Sequence, residues 1–96
     1  MLHIVSKSPY ADASLESCLN HWRDGDALIL IEDAVVAALA EGRFSTRLKG
    51  LALHVLTPDL EARGLSVKAL VDGAAQVDYE GFVDLCAEQP ASLSWL

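Results

Sequence analysis

The sequence predicts an α/β domain: a mostly parallel sheet of about five strands with helices on both faces, a three-layer sandwich. Three observations predict it. Apolar runs of strand length alternate with segments whose apolar residues recur at helical spacing. One run, "ALILI" at 27–31, is apolar at every position, as a central parallel strand covered on both faces must be. The connections are short and punctuated by Gly, Pro, Ser and Asp. At 96 residues the chain is expected to be one domain, 1–96.

The elements follow in order. "LHIV" (2–5) is a first buried strand. A helix follows, with Ser8 before Pro9, Asp12 and Ser14 all competent to start it. Leu15, Cys18, Leu19 and Trp22 fall at i, i+3, i+4 and i+7, one apolar face, and Gly25 stops it. After the strand at 27–31, Asp33 is placed to cap a helix over "AVVAALAEG", with Gly42 just past its end. "RFSTRLKG" is a polar connector with room for one helical turn. "LALHVL" (51–56) is a third strand. "TPDLEARG" is a short helix with Thr57 as N-cap, Pro58 in the first turn and Gly64 at its end. The stretch 65–73 reads as loop with a short extended piece, and "AAQV" (74–77) as a fourth strand. Asp78 caps "YEGFVDLCAEQ", in which Tyr79, Phe82, Val83 and Cys86 share one expected inner face, and Pro90 terminates it. "SLSWL" alternates and suits a final edge strand.

Composition narrows the function classes. The chain is 52% hydrophobic with a mean hydropathy of +0.29. Its apolar runs are nonetheless far shorter than the ~18 residues of a membrane span. "MLHIVSKSPY" has no basic region before an apolar one, so no signal peptide is expected and the expected location is cytoplasmic. So much apolar surface in a small chain points to a covering partner. The net charge of −7 and seven scattered Lys and Arg leave no basic stripe for direct nucleic-acid binding.

The strand ends carry no phosphate-binding loop. The turn after the first strand is "SKSP", without a GxGxxG pattern, and there is no GxxxxGK[ST]. Glu32, Asp33, Asp59 and Asp78 follow the later strands and oppose anions. Their simplest role is helix capping. No nucleotide, flavin or metal cofactor is expected. Cys18 and Cys86 lie 68 positions apart without a Cys/His cluster. In a reducing compartment such a pair is not expected to form a disulfide. His3 and His54 occupy similar places in two strands and could be neighbours. His21, three residues after Cys18, could form a thiol–imidazole pair. Against reactivity, Cys18 lies within an apolar stripe in mid-helix, away from the helix start or cation that stabilises a thiolate. Cys86 is expected to be buried in the same way.

In order and spacing, "LHIVSKSPY", "SLESCL" around Cys18, "GDALILIEDAVVAAL", "LHVLTPDLEARGL", "VDYEGFVDL" and the ending at Trp95 resemble the DsrH/TusB family of small sulfur-relay subunits. The resemblance covers nearly the whole chain. It implies a DsrE-like (flavodoxin/Rossmann-like) fold. It also implies a heterohexamer with TusC/DsrF-like and TusD/DsrE-like sister subunits, two of each. A TusA-like donor loads that complex with persulfide sulfur and a TusE/DsrC-like acceptor unloads it. In one branch the sulfur goes to 2-thiouridine at the tRNA wobble position; in the other the DsrEFH-type complex serves sulfur oxidation. The principal persulfide cysteine of the TusD/DsrE-like subunit lies where the third strand meets its helix. The comparable place here, Leu56-Thr57-Pro58, has no thiol. Cys18 matches a cysteine of DsrH-type members, which leaves it a secondary sulfur-handling role. The residues alone also allow a different class, a stand-alone regulatory module that self-associates.

Overall fold

The structure, a computed structural model, describes residues 1–95. Five strands, β1 (Leu2–Val5), β2 (Ala27–Leu30), β3 (Ala52–Leu56), β4 (Ala75–Val77) and β5 (Ser92–Trp95), form one sheet in the order β4-β3-β2-β1-β5. Every pairing is parallel. The expected fold is therefore present, with a fully parallel sheet and β5 at an edge. Four α-helices connect the strands: α1 (Ser14–Asn20), α2 (Ser45–Leu48), α3 (Thr57–Ala62) and α4 (Tyr79–Glu88). A 3₁₀ helix spans Glu32–Ala38.

The strand order decides which face each helix covers. From β1 to β4 the chain steps one strand at a time in a single direction. Right-handed crossovers then put α1, the 3₁₀ helix, α2 and α3 on one face. The main core lies there: Val5, Leu28, Leu30, Leu53 and Val55 of the sheet against Leu15, Cys18, Val35, Leu48 and Leu60. The return from β4 to β5 runs the other way and leaves α4 alone on the second face. Phe82 and Leu85 of α4 meet Leu2, Ala27 and Ile29 there.

α1 begins at Ser14 with Ala13 at its N-cap and no side-chain cap bond, so none of the expected caps, Ser8, Asp12 or Ser14, occupies that position. The Asp12 carboxylate accepts from the Ser14 backbone N–H at 2.8 Å and from the Ser14 hydroxyl. Those bonds hold its pKa below the usual carboxylate value. The helix ends at Asn20, so Trp22 packs on the core from the turn beyond it. The helix expected over 34–42 is instead the tighter 3₁₀ helix, ending at Ala38 well before Gly42. It starts at Glu32, whose φ of +51° turns the chain sharply off β2. Ala34, Val35, Ala37 and Ala38 are all buried, so three methyl-sized side chains let it lie close on the sheet. The helical turn in 43–50 is α2, and the extended piece in 65–73 is a single bridge between Leu70 and Leu39.

α4 starts as expected: Asp78 accepts from the Gly81 N–H at 2.8 Å. Gly81 also permits close approach, because a Cβ there would come within 3.0 Å of Val77 Cβ. Its faces differ from expectation. Phe82 and Leu85 turn to the sheet, while Tyr79, Val83 and Cys86 point away and are exposed. Cys86 is thus a surface thiol, not a core one. Among the described residues no helix is long and apolar enough to cross a membrane.

Candidate functional site

The carboxyl ends of β2 and β3 carry the acids that the sequence brings to the strand–helix edges. They do not cap. Neither the 3₁₀ helix nor α3 has a side-chain cap bond. Asp59 Oδ2 instead accepts from the Glu32 backbone N–H at 2.6 Å. Arg63 donates to Asp33 Oδ1 from Nη2 at 2.8 Å and from Nε at 3.1 Å. The same guanidinium donates to the Asp59 carbonyl at 3.3 Å. The Glu32 N–H is thereby tied to α3 through Asp59, and the single Arg63 guanidinium is shared between Asp33 and Asp59. The edge is tied together internally, with the Glu32 N–H and the Arg63 cation already engaged. Thr57 and Pro58 open α3 at the end of β3, so this strand end carries a hydroxyl and a proline ring and not a thiol.

Cys18 is fully buried among Leu15, Leu28 and their neighbours. Burial pushes its thiol up to about 12, with the Asp26 carboxylate adding to the rise. His21 does not pair with it. The His21 Nδ1 is 2.8 Å from the Ser17 carbonyl, and its ring lies 5.6 Å from that of Trp95.

The two strand histidines are neither neighbours nor on one face. β2 separates them, and the register aligns His3 with Leu28 and Leu53 but His54 with Ile29. His3 is buried at the centre of a polar network. Its Nδ1 accepts from the Trp95 indole N–H at 2.9 Å, so the proton belongs on Nε2, which donates to Asp26 at 2.8 Å. The Trp22 ring lies 5.3 Å from that of His3. Asp26 also accepts from the Arg23 N–H at 3.0 Å and the Met1 amine at 3.2 Å. Burial raises the Asp26 carboxyl, but these bonds, His3 foremost, outweigh it and hold the pKa down at about 2. The network binds the two ends of the described chain together, joining β1 to β5 at the point where the strand order reverses. Sequence reasoning missed it, because its members are 23 and 92 positions apart. His54, under α4, has a buried Nδ1 without a hydrogen-bond partner. Desolvation lowers its pKa, against an opposing pull from Glu88. Among the described residues no three His, Cys, Asp or Glu side chains converge as a metal site would need.

The arrangement therefore offers structural polar clusters, one buried thiol and one exposed thiol. It offers no armed strand edge. A family model described as "DsrH like protein" matches residues 7–92. The chain belongs to the DsrH/TusB family. It is 45% identical to "Protein TusB" of Pectobacterium parmentieri, over 99% of this chain and all of that one. With "Protein TusB" of Escherichia coli K12 it shares 32% identity over the same extents. Among solved structures, the ychN protein of E. coli superposes with a TM-score of 0.81 at 19% identity, covering 97% of each chain. MTH1491 of Methanobacterium thermoautotrophicum, a protein of unknown function, superposes at 0.69 and 15% identity, over 97% of this chain and 95% of that one. These two likenesses show the fold alone, an α/β sandwich shared with both proteins.

Proposed function

We propose that this DsrH/TusB-family chain is a non-carrier subunit of a cytoplasmic persulfide relay that serves 2-thiouridine formation at the tRNA wobble position. The observation that carries the reading is its full-length similarity, up to 45% identity, to proteins named TusB. In this reading it assembles with TusC/DsrF-like and TusD/DsrE-like sisters in a heterohexamer. The sister's thiolate attacks the outer sulfur of a TusA-like donor's persulfide. A new persulfide forms on the sister, the donor leaves as a thiolate, and the TusE/DsrC-like acceptor takes the sulfur by the same exchange. The internally tied β2 and β3 edges and the burial of Cys18 support a role in completing and shaping the complex. A carrier needs a thiol that is exposed and ionised near neutral pH.

The test is a host lacking its own TusB-like gene, complemented with this chain and its two sisters. Nucleoside mass spectrometry should show 2-thiouridine restored. Intact mass after exposure to persulfidated donor should place the added sulfur chiefly on the TusD/DsrE-like sister. Failure to restore the thiolated nucleoside by a complex that assembles would refute the tRNA role. Sulfur that appears first on this chain and vanishes in Cys18→Ser would refute the non-carrier assignment.

A further inference from the structure

The second face of the sheet is short of cover. Five strands at roughly 4.8 Å spacing spread over about 19 Å, whereas one helix is about 10 Å wide. Parallel sheets are ordinarily covered on both faces. Here α4 crosses alone, and Ala52 and Ser94 on that face stay exposed.

α4 is also apolar on the side turned from the sheet. Tyr79 is 61% exposed and Val83 66%, and Cys86 lies beside them. Next to this strip run Glu80, Asp84 and Glu88, at i, i+4 and i+8, all exposed. The helix has no Lys or Arg, and among the described residues no ion pair engages any of the three. Like charges at this spacing destabilise a helix. Glu88 is worse placed still, at the negative end of the helix dipole. On the first face the comparable acids, Asp33 and Asp59, share the Arg63 guanidinium. The α4 acids are uncompensated, and they flank exposed apolar side chains.

We propose that the outward side of α4 is a docking surface for a different polypeptide, one presenting an apolar patch flanked by Lys and Arg. This rests on the relay reading above, in which the occupant is one of the two sister subunits. A second copy paired through its own α4 does not fit. A two-fold contact through α4 would set one acid ladder against another in a chain of net charge −7.

The experiment is co-expression with both sisters and native mass spectrometry across a dilution series. The variants are Asp84→Lys/Glu88→Lys, Tyr79→Ser/Val83→Ser, and the control Glu16→Lys/Glu61→Lys, which makes the same charge change on the other face. Both α4 variants should assemble at least tenfold more weakly, and the control within threefold of the parent. The Asp84→Lys/Glu88→Lys chain alone should melt no lower than the parent, since its ladder is relieved. Alkylation of Cys86 should be at least tenfold slower in the parent assembly than in the lone chain. If the parent assembles and both α4 variants do so within threefold of it, the surface is wrong while the relay reading stands. If the parent does not assemble with the sisters, both fall. Self-association through α4 tighter than binding to the sisters would make a second copy the occupant and overturn the proposal.

Discussion

Cys18 should be chemically silent in the folded chain, and the degree of silence follows from its surroundings. Burial, with Asp26 adding to it, moves the thiol from 9.0 to about 12. Each unit is a factor of ten, so near neutral pH the thiolate fraction falls about a thousandfold. Access adds a second barrier. The side chain is fully buried, so a reagent must wait for the chain to open. Intact-mass measurement during iodoacetamide treatment should show one adduct quickly, at exposed Cys86. A second should come only at the rate of unfolding and appear at once in strong guanidinium. The same burial dictates how Cys18 variants are read. Cys18→Ser places a hydroxyl in an apolar pocket at a cost of about 1–3 kcal/mol if it finds no partner. In a domain this small that lowers Tm by roughly 5–15 °C. Lost sulfur flux in Cys18→Ser therefore reports the thiol only if Cys18→Ala, which adds no polar group, loses as much. Two adducts forming within tenfold of each other in native buffer, with the circular dichroism unchanged, would refute this account.

Acid should weaken the chain through Asp26. Its folded pKa of about 2 lies below the ordinary 3.8, so its contribution is complete above about 4 and is lost as pH falls toward 2. In a Tm profile over that window Asp26→Asn should start lower and fall less steeply; a parent profile flat from 5 to 2 would contradict the network around His3. Asp78→Ala removes the side-chain bond to the first turn of α4, at a cost of about 1 kcal/mol. Hydrogen exchange should then speed up at Gly81 and its neighbours while β2 stays protected, and equal acceleration in both would sink the assignment of Asp78 as a local cap.

How far the sequence could be read depends on whether the deciding contact is local. The strands were legible, because an apolar run between turn residues needs no distant partner. So was the Asp78 cap, whose acceptor and donor are three residues apart. Asp33 looked like the same device, but its partner is Arg63, 30 positions on, and no local pattern announces that pair. The burial of Cys18 was legible from its stripe, whereas the His3–Asp26–Trp95 cluster, closed across the whole chain, was not.

α4 is the instructive failure. Tyr79, Phe82, Val83, Leu85 and Cys86 spread over roughly 160° of the helix at about 100° per residue, and periodicity cannot say which part of that arc meets the sheet. What decides it is Gly81, which lets the arc holding Phe82 and Leu85 approach Val77. The remaining arc, Tyr79, Val83 and Cys86, is exposed although its side chains are of the kinds that fill a core, and side-chain type alone does not separate the two. The difference lies in the flanks. Here the exposed arc is bordered by three acids with no base on the helix. That imbalance was already present in "DYEGFVDLCAE", and it is the feature that suits this arc to the cationic partner proposed for it.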